Sequence, residues 1–274
     1  MAHELQNRYS ALVDAKLRAV LVKKDGVIFN TRYQGDPTAG AVMVPVRDTE
    51  VAVGDYDKQN GADKTHGDTA YITLAIDKDK AVNEIIDGYD AAAVPDNLTA
   101  DRLDSAAYSL ALQIEKDSTA VLEAKATVHG TTEALTSETV YDVAVDMRTA
   151  LSKAHVPNDG KRFLLVSPDT YALLLKDKDH FTHATELGDK VIATGAVGQI
   201  AGFLVFEDST LGTKTEMIAG HPNWCVRVNE WKVPVHLQDL NGSGEYIGAS
   251  AVQGRMVYAH GVTKAKTLLI KKTA

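Results

Sequence analysis

The chain has 274 residues, 45% of them apolar and 24% charged, the balance of a folded protein long enough to bury a sizeable core. A formal charge of −8 argues against a dedicated nucleic-acid binder, which carries a basic footprint. Cys225 is the only cysteine, so no intramolecular disulfide can form, and no run approaches the ~20 apolar residues of a membrane-spanning helix.

The opening stretch, MAHELQNRYSALVDAK, lacks the apolar core of a secretory signal, which predicts a soluble chain made inside the cell. Leu5, Tyr9, Leu12, Val13, Leu17, Val20 and Leu21 recur at helical spacing and predict an amphipathic N-terminal helix that Gly26 ends. Nothing in the pattern obliges this arm to fold back on its own domain. GDPTAG, Gly35 to Gly40, reads as a loop.

Two strand patterns follow. In the first, Val42, Val44 and Val46 face one way and Val51 and Val53 the other, with a parity slip between Arg47 and Glu50 of the kind a β-bulge makes. The second, DTAYITLAID, puts Ala70, Ile72, Leu74 and Ile76 on one face. Strands of about ten residues would project roughly 30 Å. Between them, Gly54 to Gly67 offers only Tyr56 and Ala62 as apolar side chains. An isolated two-stranded hairpin is marginal in water, because ordering costs ~1–2 kcal/mol per residue and little area is buried in return. The hairpin must therefore lie on its own domain or on a neighbour.

Charge is unevenly spread. Asp48 to Asp90 is acidic, whereas beyond Glu245 there is no acidic residue and Arg255, Lys264, Lys266, Lys271 and Lys272 are basic. Such segments are commonly solvated faces. The sharper expectation is that acidic and basic segments of neighbouring copies meet.

After Pro95, residues 97–126 read as one long helix with a stripe of Leu103, Ala107, Leu110, Ile114 and Val121, a rod of roughly 40 Å. Val140, Val143, Met147, Leu151 and Ala154 mark a second amphipathic helix, which Pro157 ends. RFLLVS is a short buried strand, and SPDTYALLL starts a helix with Ser167 as its cap and Pro168 in its first turn. A glycine-punctuated loop leads to a buried strand, Phe203 to Phe206, and from Met217 onward the pattern is strands and turns.

Three constellations could carry chemistry. His180 and His183, with Glu186 beyond, have a spacing that suits zinc, but no further ligand completes the set. GSGEYIG, Gly242 to Gly248, lacks the following helix and the later carboxylate of a dinucleotide site, and reads as a turn. Gly160-Lys161 has no glycine five positions before Gly160, so there is no P-loop. No catalytic residue, cofactor or metal site is expected, and the chain reads as a protein without catalysis.

Taken in order, the elements are a helical arm, a long polar hairpin, a solitary long helix, a compact α/β region and closing strands. This α+β series resembles the major capsid proteins of tailed bacteriophages, the HK-97-like capsid fold. RFLLVSPDTYALLL looks like that family's strand and proline-started helix, and GAVGQIAGFLVFEDSTL like its glycine loop and the apolar strand after it.

The resemblance implies an N-terminal arm over residues 1–35. An extended loop and the start of a peripheral domain would span 36–90, and the spine helix of that domain 91–135. An axial domain would cover 136–224, with return strands of the peripheral domain over 225–274. It implies hexamers and pentamers closing into an icosahedral shell around double-stranded DNA, assembled in the bacterial cytoplasm, with portal and decoration proteins as partners and no membrane. Arg47, Asp55, Asp57, Lys58, Asp63, Lys64 and His66 would make the inter-subunit contacts. Some members carry a helical scaffolding extension before the arm; here the arm begins almost at Met1, so a separate scaffolding protein or a processed chain is expected. The alternatives are an encapsulin-type nanocompartment shell, a metal-dependent enzyme using His180 and His183, and a tail-tube protein.

Overall fold

A computed structural model describes residues 16–36, 39–46, 50–51, 53–61, 69–93, 97–176, 198–242 and 244–274. Its centre is a six-stranded sheet in the order β4 (Thr127–Val128), β11 (Leu269–Lys272), β8 (Thr215–Gly220), β5 (Phe163–Val166), β7 (Phe203–Glu207), β6 (Gly198–Ile200). Every residue of β5 is buried because both faces of the sheet are covered, and strands in that position carry continuous apolar runs. Leu164 and Val166 face a core shared with Phe203, Val205, Met217 and Ala219, closed by α3 (Val140–Lys153) and α4 (Pro168–Lys176). Phe163 and Leu165 face a second core with Phe206, Ile218 and Ile270, closed from outside the sheet by Leu122, Cys225, Val22, Ile28 and Phe29. Each large side chain contributes ~1.5–3 kcal/mol on burial, so this double core is where stability is concentrated. In α3 the expected Val140, Met147 and Leu151 are buried together with Ala144, while the expected Val143 and Ala154 are half-buried. Ser167 Oγ accepts the Thr170 N–H at 3.2 Å, the cap that the sequence predicts for α4.

A smaller antiparallel sheet has the order β3 (Lys78–Asp87), β10 (Ala249–Val262), β9 (Cys225–Asp239). The short helix α1 (Gly88–Ala93) follows β3, and α2 (Leu98–Lys125) lies across one sheet face, packing Ala106 with Ile86 and Val252. The pairing of β10 with β9 shifts between Gln253 and Arg255, so that Pro234 and Val235 together oppose Gly254. Proline has no N–H to give a ladder, and a bulge is where a long strand tolerates one. A Cβ at Gly254 would lie 2.8 Å from Val235 and 3.1 Å from Leu110, so glycine lets β9, β10 and α2 close together. Apart from Ser243, which lies outside the described residues, GSGEYIG lies in the turn joining β9 to β10, as expected, with Gly248 N–H donating to Asn241 Oδ1 at 2.6 Å.

Four expectations need correction. The N-terminal helix does not reach Leu21: residues 16–24 carry no helix, and residues 1–15 lie outside the described residues. From Lys16, paired with Asp101, to Lys23, bonded to Glu115, the arm keeps pace with fourteen residues of α2. That is ~21 Å of helix, a span that seven arm residues can cover only when extended at ~3 Å each. The hairpin strands β1 (Ala41–Val46) and β2 (Ala70–Ala75) are six residues each, not ten; the parity slip at residues 47–49 lies outside the described residues. The long helix has the expected extent, but its buried positions are Ala106, Leu110, Glu115, Ser118, Thr119 and Leu122. Ala107 and Ile114 line an open apolar groove of about 380 Å³ beside β9, while Glu115 meets the arm and Thr119 meets Thr210, just after β7. Finally, β3 and α1 had no counterpart in the sequence reading.

Candidate assembly surface

Among the described residues, the hairpin is anchored at its base. Val44 and Leu74 are buried against Val226 and Val228 of β9, with Tyr33, Val42 and Ile76 around them. A Cβ at Gly261 would meet Leu74 Cδ2 at 2.2 Å, so the hairpin base sits directly on the backbone of β10. The predicted face of β2 holds, with burial fading outward from Leu74 through Ile72 to Ala70. Farther along, Val51, Val53 and Tyr56 are 84%, 98% and 75% exposed. Removing three such side chains from water is favourable, and none of the described residues does it.

Of the seven residues expected to make contacts, Asp55, Asp57 and Lys58 are exposed here, while Arg47, Asp63, Lys64 and His66 lie outside the described residues. Asp57 is committed to its own turn. Its carboxylate accepts the N–H groups of Gln59 at 2.6 Å and Asn60 at 2.8 Å, which hold it below the usual aspartate range. Asp57 and Gly61 exchange backbone hydrogen bonds, and Gly61 supplies the φ of +77° that closes the turn. Residues 57–61 thus hold a turn by their own hydrogen bonds, with no buried apolar side chain among them.

The arm is held in the opposite manner. Lys16 pairs with Asp101 at 2.6 Å and Arg18 with Asp104, and Tyr108 Oη accepts the Ala19 N–H at 2.7 Å. Glu115 Oε1 accepts the N–H groups of Val22 and Lys23, both at 3.0 Å. Those donors are spent on α2 instead of on the arm's own carbonyls, which is why no helix forms there. Lys23 Nζ, fully buried, contacts Asp208 Oδ2 and lies 2.9 Å from Thr210 Oγ1. Arg227 closes the anchor, donating to Asp25 Oδ1 at 2.8 Å, the Lys23 carbonyl at 3.0 Å and His260 Nε2 at 3.0 Å, with its guanidinium over the Phe29 ring. Burial, with Arg227 beside it, pushes the His260 imidazole down to about 3, so the ring is neutral and Nε2 accepts.

Much of the arm's basic charge, and part of that near the C-terminus, is therefore used within the chain. Arg255 donates to Asp79 Oδ1 at 2.8 Å, and the buried Lys271 donates to the Glu133 carbonyl at 2.7 Å. Arg162, buried, gives its N–H groups to Ser152 Oγ at 3.1 Å in the last turn of α3 and to the Pro157 carbonyl at 2.9 Å beyond its end; burial lowers its pKa. The sequence reading missed these anchors. Their signal was a charge set inside an apolar run: Lys23 after Val20, Leu21 and Val22, and Glu115 directly after Ile114.

His180, His183 and Glu186 lie outside the described residues. Among the described residues no three His, Cys, Asp or Glu side chains gather as a metal-binding group, and burial pushes the Cys225 thiol up to about 12.

A family model described as phage capsid protein matches residues 84–224, just over half of the chain. The chain belongs to the phage capsid protein family. This capsid protein has the fold of solved phage chains along almost its whole length. A chain from Mycobacterium phage Che8 matches at TM-score 0.77 and 20% identity, covering 97% of this chain and 96% of that one. The capsid of cyanophage P-SCSP1u gives TM-score 0.78 and 12% identity, with 98% and 93% covered. The mature capsid of bacteriophage PhiM1 gives 0.71 and 13%, with 98% and 92% covered. No curated protein matches. The family match begins within β3, so the hairpin precedes it, and the capsid protein's likeness there is one of fold.

Proposed function

We propose that this capsid protein builds the virion shell by completing its hairpin on a neighbouring copy, in hexamers and pentamers that close around double-stranded DNA. The supporting observation is the hairpin itself: a base packed on β9 and β10 and, farther out, Val51, Val53 and Tyr56 left exposed among the described residues. Many weak contacts of one kind, repeated in every subunit, make a stable closed assembly. Asp55 and Lys58, together with Arg47, Asp63, Lys64 and His66, would meet charges on the adjacent copy, while Asp57 preserves the turn that presents them. In this reading α2 is the spine helix of a peripheral domain and the six-stranded sheet with α3 and α4 forms the axial domain. The net charge of −8 suits a container whose DNA must later leave, because strong phosphate binding would hold it back. Scaffolding, portal and decoration proteins would be separate partners. An encapsulin-type shell shares this order of elements, but the family match is to phage capsid proteins and favours the genome container.

Negative-stain microscopy of the chain, expressed alone and then with a scaffold from the same phage, tests this reading. Closed shells are expected in at least one of the two. Tubes, or monomers at every concentration in both, would contradict it.

A further inference from the structure

Lys23, Glu115 and Asp208 form a closed ionic group that the assembly surface does not use. Their side chains are 0%, 5% and 0% exposed, and they come from the arm, from α2 and from just after β7. Lys23 Nζ touches Asp208 Oδ2 and lies 3.4 Å from Glu115 Oε1. Asp208 Oδ1, the other carboxylate oxygen, accepts the Thr210 N–H at 2.8 Å and the Thr210 hydroxyl at 2.7 Å. Val22, next to Lys23, and Phe206, two positions before Asp208, belong to the buried core. A single carboxylate would neutralise Lys23; the second stands within reach of the same nitrogen, where a proton acceptor would act.

We propose that Lys23 and Asp208 condense into an isopeptide bond, with Glu115 as the proton carrier. One ammonium proton passes across the contact to Oδ2, leaving an amine and an acid. Nζ attacks Cγ, and the charge that gathers on Oδ1 falls where the Thr210 N–H and hydroxyl already donate. Glu115 takes the proton made acidic by the new C–N bond and delivers it to Oδ2. The Cγ–Oδ2 bond breaks, one water leaves and the amide remains. An ammonium and a carboxylate become an amide and a water; Glu115 ends as it began, and no oxidant, metal or outside reagent takes part. Contact between the groups, enclosure from bulk water and donors aimed at the developing charge are the conditions under which such a condensation proceeds without an enzyme. The product ties the arm covalently to the body and closes a loop of chain that unfolding cannot open.

Intact-mass measurement and tryptic mapping of the full-length folded protein decide the matter. The expected mass is one water below that of the sequence. Trypsin should fail to cut after Lys23, and one branched peptide should join the Lys23 and Asp208 segments. Lys23→Arg should restore the full mass, and Glu115→Gln should slow the appearance of the lighter species about a hundredfold or more. Should either variant fail to fold, the wild type still decides. Full sequence mass, with Lys23 and Asp208 on separate unmodified peptides after prolonged incubation, overturns the proposal and leaves a buried ion pair.

Discussion

The arm from Lys16 to Asn30 and the hairpin from Ala41 to Ala75 both reach away from where their own residues could form a core, yet they are held by different means. The arm is fixed along its length by hydrogen bonds and ion pairs to α2, then by buried Lys23, Ile28 and Phe29. The hairpin is fixed by apolar contact at its base, and its tip keeps only the Asp57 turn. An extended segment has a partner surface somewhere: for the arm it is on the same molecule, and for the hairpin tip the proposal puts it on the next. Strength of attachment follows from this, because breaking buried charged contacts costs somewhat more than uncovering part of an apolar base.

The largest expected effect is on the arm. Asp208→Ala leaves Lys23 buried beside Glu115 alone, with neither ion pair nor amide to Asp208, and should cost at least about 3–5 kcal/mol in urea denaturation; a loss below about 1 kcal/mol would mean the arm is not held by this group. Leu74→Ala should cost about 2–3 kcal/mol at the hairpin base. Its readout is faster proteolysis within residues 47–68 while the body's unfolding midpoint moves little; equal loss in both would make hairpin and body one cooperative unit. A pH effect comes next. His260 is neutral in the fold with its pKa lowered from 6.5 to about 3, so the unfolded chain binds the extra proton and stability is lost as pH falls through that window. The slope is at most about 1.4 kcal/mol per pH unit, and His260→Gln, whose carbonyl can still accept from Arg227, should remove it; identical pH curves for the two proteins would refute the assignment. The smallest effect is at the Arg102–Glu84 pair, whose side chains are more than a third exposed: Arg102→Ala should cost about 0.5 kcal/mol, measured by thermal melting.

How much of this was legible in the sequence depended on whether one physical cause ruled each segment. The extent of α2, the Ser167 cap, the buried run of β5 and the inward face of β2 could be read because burial or capping alone set their patterns. The arm could not: Leu17, Val20 and Leu21 have helical spacing, but the groups that fix its conformation, Tyr108 and Glu115, lie some ninety positions away. The stripe on α2 was displaced for the same reason, since its second half buries Glu115, Ser118 and Thr119 against the arm and Thr210. Strand β3 escaped notice because its inward face alternates Lys80, Val82, Glu84 and Ile86, and Glu84 is satisfied by Arg102. Of the candidate contact surface, the shape was legible and the role of Asp57 was not, because an aspartate that holds a turn and one that meets a neighbour look alike in sequence.

Deletion of residues 55–66, followed by thermal unfolding and electron microscopy of the same preparation, puts the proposed division of the molecule to the test. The account predicts a subunit that melts with the wild type to within a few degrees and forms no closed particles. Closed particles at wild-type yield, or a subunit that no longer folds, would show that the tip belongs to its own molecule and not to its neighbour.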